Sequence, residues 1–456
     1  MDKPIIVVGA GLVGSLLTIL LGKKGYKVKL IERRPDTRKN KQYAGKSINL
    51  ALSDRGIRAL KYAEVMDEIM KISIPVYGRT IHQPDSSIVF QPYSADKKCN
   101  YSVSRAEINY TLLNIAEQLP NVEIHFNEKC VDVDFTNTTV TFENTETQKI
   151  TTHSAEIIFG ADGAFSAVRL NMMLKNDRFQ YQQYYINTGY KELIIPPDKN
   201  GKFMLENYES LHIWPRKEFM LMALPNPTGD FTCTLFMPFE GKNSFEQLKT
   251  ENDVKQFFEK NFPDAVPLMP TYLTDFFKNP TSSLVTVRCF PWVINNVALI
   301  GDAAHAITPF YGQGMNAGFE DAVVLLELLE NHQHHWKKTL SEYQKLRKKD
   351  GDAIAQLALD NHIEMRDKTA DPNFLLQKKI EQWFYKKHPD KWIPLYDMVT
   401  YRPDIRYSEA LQKGYYQDKI MQEVLKLPDI QNNWQSESTE KFILSLLQSR
   451  PFQYQN

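Results

Sequence analysis

The sequence predicts an α/β protein: a doubly wound parallel sheet, a second and mostly antiparallel sheet, and a C-terminal helical region. Three observations predict it. Near the N-terminus apolar strand-like runs alternate with helical segments, residues from about 180 to 290 show two-residue periodicity, and from about 336 the pattern is helical, polar and rich in aromatics. At about 150 residues per domain, a chain of 456 residues makes three domains or fewer large ones. The expected division is a discontinuous first domain over 1–180 and 285–335, a sheet domain over 181–284, and a helical region over 336–456 that closes over the site.

The first elements are a strand at 4–8, a helix at 12–23 and a strand at 27–32. The apolar run from Ile5 to Gly22 is long enough to suggest a membrane anchor or a signal peptide. Its three glycines argue otherwise. Gly9, Gly11 and Gly14 fit G-x-G-x-x-G between the apolar PIIVV and the helix-forming LLTILLGKKG, and YKVKLIE then alternates as a second strand. Further on, RAEINYTLLNIAEQL is an amphipathic helix and NVEIHF a short strand, followed by alternating strands with Asn/Thr turns that return to the parallel sheet at IIFGADG. LHIWPRKEFMLMALPN and DFTCTLFMPF supply the two-period runs of the second sheet, one face of which is suited to be a pocket wall. VALIGDAAH is another buried strand, followed by a Gly-rich loop and the helix MNAGFEDAVVLLELLE.

Composition narrows the function classes. Hydrophobic residues at 42% and charged residues at 24% are close to globular averages, which excludes disordered and collagen-like chains. Lys plus Arg equals Asp plus Glu at 55 each, without the basic surplus that nucleic-acid binders use against phosphates. Cys99, Cys130, Cys233 and Cys289 form no C-x-x-C pair and read as buried free thiols. His332, His334 and His335 crowd a polar segment with no carboxylate pattern, which reads as a solvated loop and not a metal site.

In context the glycine motif points to a dinucleotide: its backbone can approach a pyrophosphate, the helix N-terminus offers N–H donors, and Glu32 at the end of the second strand can accept from ribose hydroxyls. That motif alone does not separate NAD from FAD. Gly160-Ala161-Asp162-Gly163 and Gly301-Asp302-Ala303-Ala304-His305 each place a carboxylate at the carboxyl end of a strand, where ligands of open sheets bind. With Arg105 in SVSRAEI, these segments resemble the three-motif pattern of FAD-dependent aromatic hydroxylases of the 4-hydroxybenzoate hydroxylase type. The resemblance implies a Rossmann-like FAD-binding domain, Asp302 on the ribityl chain, and flavin and nicotinamide contacts around Asp162. His305 reads as packing against the cofactor domain. In Pro309-Phe310-Tyr311-Gly312-Gln313-Gly314-Met315-Asn316 the glycines allow close approach to a planar ring, and a helix starting near Met315 would aim its N-terminus at the flavin and stabilise the reduced ring. Gly9, Gly11, Gly14, Glu32, Arg105, Asp302, Pro309, Gly312, Gly314, Met315 and Asn316 are thus the expected cofactor residues.

KSINLALSDRGIRAL, YGR at Tyr77–Arg79 and PFYGQGMNAGFED resemble, over essentially the whole chain, members of that family whose substrate is L-kynurenine. The resemblance implies that Arg79, Tyr93, Asn361 and Tyr396 hold the substrate's amino-acid carboxylate, as the physics of burying a carboxylate favours. It also implies an apolar wall of Leu211, Leu224, Phe236, Phe310, Pro309 and Met365 around the aniline ring. The implied reaction is ring hydroxylation to 3-hydroxykynurenine by O2 through a C4a-hydroperoxyflavin, with NADPH as reductant and no acid/base residue. An amino group already activates the ring, so no strong base is needed. There is no second G-x-G-x-x-G for a nicotinamide domain, which fits transient NADPH binding. Two alternatives stay open: a hydroxylase of another aromatic acid, and a non-catalytic flavin-binding redox module. The chain ends SRPFQYQN with no hydrophobic anchor, so a soluble cytoplasmic protein, monomeric or homodimeric, is expected.

Overall fold

The computed structural model describes residues 3–39, 48–94, 96–364 and 371–455. The first sheet has six strands in the order Val293–Ile294, Val297–Leu299, Ile158–Gly160, Ile5–Val8, Val28–Ile31, Val122–His125. The last five run parallel, with Val7 between Phe159 and Leu30, and the two-residue strand is antiparallel to its neighbour. The central strands Ile5–Val8, Ile158–Gly160 and Val297–Leu299 are fully buried because both faces are covered, by the helices Leu12–Lys23, Arg105–Glu117 and Gly314–Asn331 among others, whereas the edge strand Val122–His125 alternates. Ser104 fixes one of those helix starts: its side chain accepts from the Glu107 N–H at the N-cap of Arg105–Glu117.

The second sheet has seven strands in the order Ser282–Phe290, Gln180–Ile195, Phe231–Met237, Phe219–Pro225, Leu211–Arg216, Gly78–His82, Ile88–Pro92. All neighbours are antiparallel except Leu211–Arg216 with Gly78–His82. The expected assignment of every residue in 1–180 to the cofactor domain differs from this order, since Gly78–His82 and Ile88–Pro92 leave that domain to extend the second sheet. The physical reason is edge pairing: Leu211–Arg216 has an open edge, and Gly78–His82 satisfies it in register Leu211 with Arg79 and Ile213 with Ile81.

Period-two alternation gives the second sheet two different faces. Trp214, Leu221, Ala223, Phe231, Cys233 and Leu235 face one way and form a core with the helices Glu251–Asn261 and Tyr272–Lys278. The opposite face turns toward the first domain. Beyond these lie helices Trp336–Ile363, Pro372–Lys387, Leu395–Thr400, Tyr407–Val424 and Glu437–Ser449, packed around two apolar clusters. No helix among the described residues is long and apolar enough to cross a membrane.

Candidate active site

Two regions carry the candidate residues. The first is a cavity of about 230 Å³ lined by Ala10, Gly11, Glu32, Arg34, Arg105 and Asn109, with Tyr190 and Glu192 from the second sheet. The three glycines of the turn beside it act in different ways. A Cβ on Gly9 would lie 2.6 Å from the Ala161 carbonyl, and one on Gly14 would lie 1.9 Å from the Gly9 carbonyl. Both are therefore demanded by packing within the turn. A Cβ on Gly11 would meet no protein atom within 4 Å, so its absence leaves room for something other than protein.

Glu32 ends the second strand with Oε2 accepting from the Ala10 N–H at 2.9 Å and Oε1 from Arg34 Nε at 2.8 Å. A carboxylate has about four lone-pair sites, so capacity for a ribose hydroxyl remains. Asp302 has exposed surface although protein surrounds it; burial pushes its carboxyl above the ordinary value, opposed first by Arg105 and then by His305. Asp162 is differently used. Its Oδ2 accepts from the Ala167 N–H at 2.6 Å and the Val168 N–H at 3.2 Å, which ties the strand end to the start of the helix Ala167–Lys175.

The loop itself is a short 3₁₀ turn, Pro309–Tyr311, closed by Gly312 in the left-handed region at φ +66°. The helix begins at Gly314, one residue before the sequence-based expectation, with Met315 in its first turn. Asn316 donates from Nδ2 to the carbonyls of Ala51 and Gly312, each at 2.9 Å, and accepts at Oδ1 from the Ser53 N–H at 2.9 Å. Its side chain is a staple for the loop, and what it offers a ligand is its backbone N–H at the helix start.

The second region lies under the pocket-facing side of the seven-stranded sheet. Met220 pairs with Phe236 and Met222 with Ile213, and two residues further along those strands Leu224 and Leu211 continue the same face. Phe236 meets Phe310 of the loop with ring centroids 5.5 Å apart. Arg79 stands beside Leu211 in register. Its guanidinium lies 5.5 Å from the ring centroids of both Tyr93 and Tyr396, its Nε is buried with no hydrogen-bond partner, and no carboxylate pairs with it among the described residues. Tyr396 is stacked between Tyr93 at 5.4 Å and Tyr311 at 6.0 Å, and its hydroxyl accepts from Asn100 Nδ2 at 3.0 Å. Burial raises all three phenols above their ordinary value, so they stay protonated and can donate. Asn361 donates to the Phe310 carbonyl at 2.7 Å, joining the helix Trp336–Ile363 to the loop. Met365 lies outside the described residues.

The structure thus brings Arg79, Tyr93 and Tyr396 together with Leu211 in register beside Arg79, sets Phe236 and Asn361 against Phe310, gathers Gly11, Glu32 and Arg105 around one cavity, and places Asp302 within the charge influence of Arg105. The sequence reading missed Tyr311, Asn100, Asn109, Tyr190 and Glu192. Tyr311 had a signal, since it sits inside the glycine loop; the others depend on strand register and on contacts between distant segments. The histidine run is a turn with His334 and His335 exposed and His332 partly so; His332 Nε2 is 2.7 Å from Glu342 and His334 Nδ1 is 2.8 Å from the Tyr26 hydroxyl. One reading needs correcting. Cys99 is only half-buried, unlike the other three thiols.

Comparison with known proteins gives a consistent result. The family described as "FAD binding domain" matches residues 2–358. A kynurenine 3-monooxygenase of Flavobacterium psychrophilum is 51% identical, with 98% of this chain and 99% of that protein covered. One from Dictyostelium discoideum is 45% identical, with 95% of each covered. Among solved structures, a tetrameric 2-methyl-3-hydroxypyridine-5-carboxylic acid oxygenase superposes with a TM-score of 0.66 at 20% identity, covering 83% of this chain and 96% of its own. P. aeruginosa PqsL in complex with 2-aminobenzoylacetate gives 0.64 at 18% identity, covering 80% and 97%. These two share the fold.

Proposed function

The chain belongs to the kynurenine 3-monooxygenase family, within the wider family that carries the FAD binding domain, and from that premise we propose that it hydroxylates L-kynurenine to 3-hydroxykynurenine with NADPH and O2. The single observation that carries the substrate class is Arg79, a guanidinium enclosed by protein whose Nε has no hydrogen-bond partner and which has no carboxylate within 4 Å among the described residues, held against two phenols. A buried N–H without a partner on a cation is costly, and an incoming carboxylate relieves that cost through charge-assisted hydrogen bonds.

The residues present fit FAD. Gly11 leaves the approach a side chain would block, Glu32 and Arg105 line the adjacent cavity, Asp302 keeps an exposed carboxylate near Arg105, and the helix Gly314–Asn331 starts with no side-chain cap on its N–H groups. When bound, FAD supplies hydride acceptance and oxygen activation. The rest is positioning. Arg79, Tyr93 and Tyr396 anchor the amino-acid end, while Leu211, Leu224, Phe236 and Phe310 hold the aniline ring and keep water away. Asn361 and Asn316 fix the loop between the two halves.

The test is NADPH consumption by the purified flavoprotein with and without L-kynurenine, alongside mass detection of product. Stimulated consumption with a product heavier by one oxygen is expected. Stimulation yielding only peroxide would make kynurenine an effector, and no stimulation would sink the substrate assignment.

A further inference from the structure

We propose that Arg55 is a positioning residue that couples the helix carrying Tyr396 to the helix that opens at the cofactor cleft, so that the substrate clamp and the flavin loop are set as one unit. The role of Tyr396 in this proposal rests on the functional reading above.

Arg55 lies in the first turn of the helix Asp54–Tyr62, with its side chain wholly buried. It reaches two other elements at once. Nη1 donates to Glu320 Oε1 at 2.7 Å on the helix Gly314–Asn331. Nε donates to the Val399 carbonyl at 2.7 Å, and Nη2 to the carbonyls of Ile405 at 2.5 Å and Met398 at 3.2 Å. Met398 and Val399 end the short helix Leu395–Thr400, whose last carbonyls lack helical partners, so the guanidinium acts as its C-terminal cap. Tyr396 is in the first turn of that same helix. A second arm runs parallel to the first: the Tyr407 ring lies 3.9 Å under the Arg55 guanidinium, and its hydroxyl donates to Gln313 Oε1 at 2.9 Å, at the N-cap of the flavin-facing helix.

The link is anchored from behind. Glu320 Oε2 accepts from Arg347 at 2.8 Å, and Arg347 also donates to Asp321 at 2.6 Å and Asp350 at 3.1 Å. A buried charge network of this kind is weak evidence for stability, because apolar residues of the same volume commonly serve as well. What it provides is geometry. A planar fork has donors for one carboxylate and several carbonyls simultaneously, whereas an ammonium on a flexible stem does not.

The experiment uses the FAD-loaded full chain with Arg55→Lys, Tyr396→Phe and the double variant. Arg55→Lys is expected to raise the L-kynurenine KM on the order of tenfold and to divert turnover toward peroxide, with FAD content unchanged. In the Tyr396→Phe background the same change should move KM less than about twofold, because coupled residues are non-additive. Hydrogen exchange supplies a readout independent of turnover: amides of 396–405 should exchange faster in Arg55→Lys, while those of strands Ile5–Val8 and Val28–Ile31 stay as in wild type. Additive KM effects, or unchanged exchange over 396–405, would overturn the proposal. Should Arg55→Lys fail to fold, Glu320→Gln cuts the same link from the other side and is read in the same way. A wild type indifferent to L-kynurenine would refute the functional reading alone, and the exchange measurement would still decide the role of Arg55.

Discussion

Gly11 and Gly14 belong to one motif and do different work, which makes them separable by substitution. At Gly14 a methyl group would collide with the Gly9 carbonyl, so Gly14→Ala should break the turn and lose both fold and cofactor. At Gly11 the backbone has φ −74° and ψ −175°, open to any residue, and no protein atom would touch the new carbon. Gly11→Ala should therefore leave the apo-protein unchanged or up to about 1 kcal/mol more stable, while FAD binds about tenfold more weakly or worse. Calorimetry of the apo-protein and flavin titration check the two halves, and a destabilised apo-protein with unchanged FAD affinity would sink the idea. Arg79 is the corresponding residue on the substrate side. Arg79→Ala removes a cation that has no carboxylate within 4 Å among the described residues, so kcat/KM should fall by about two decades, or ~3 kcal/mol, with FAD retained. Steady-state kinetics at full flavin occupancy decide it; wild-type behaviour would mean that the carboxylate binds elsewhere.

At the level of elements, Asn316 shows how the flavin loop is held. It staples the loop to the strand Asn49–Leu52 and to Ser53 through two hydrogen bonds, and a third to the Gly312 carbonyl closes the loop on itself, with the side chain wholly buried. Asn316→Ala leaves buried backbone groups without partners, so a loss of about 2 kcal/mol or more is expected from chemical denaturation. A shift under about 0.5 kcal/mol, the range of ordinary surface changes, would mean that the loop holds itself. Elements of this kind mark the boundary of what was legible in the sequence. The helices Leu12–Lys23 and Arg105–Glu117 and the strand Ile158–Gly160 follow from local periodicity and glycine stops, and all lie within a residue or two of their expected bounds. The pairing of Gly78–His82 with Leu211–Arg216 does not, since it joins segments over a hundred residues apart and no local pattern encodes it. The same holds within the site. Arg79, Tyr93 and Tyr396 are reached through resemblance to a family, whereas the Tyr93–Tyr396–Tyr311 stack and the Asn100 contact appear only once distant elements have packed.

For the molecule as a whole, the distribution of buried charge predicts how stability responds to pH. The core network pairs its charges: Arg55 and Arg347 face Glu320, Asp321 and Asp350, and His305 Nε2 sits 2.6 Å from Asp321. Burial alone would lower the His305 pKa, but Asp321 outweighs it and the net shift is upward. A histidine with a raised folded-state pKa gives stability that is full below its unfolded value of about 6.5, and that stability is lost as pH rises through the folded value. Asp397 is the opposite case, a carboxyl whose burial outweighs the charge of Lys98. It is buried beside Tyr396, its Oδ1 has no partner, and burial pushes its pKa up to about 6. A raised carboxyl pKa means that the folded state holds its proton longer than the unfolded chain does. Stability attached to Asp397 is therefore full below about pH 4 and lost as pH rises to about 6, by roughly 3 kcal/mol at most for a shift of two pKa units. Surface carboxylates paired with Lys and Arg act with the opposite sign, so the wild-type curve alone does not isolate the effect. A difference curve does. Asp397→Asn should be close to wild type at pH 4 and more stable by about 2 kcal/mol at pH 7 to 8, with the gap opening between pH 4 and 6. The wild-type minus His305→Gln difference should instead change only above pH 6.5. Equal stability of Asp397→Asn and wild type at pH 8 would mean that the carboxylate is solvated or paired when ionised, and the cost ascribed to its burial would be wrong.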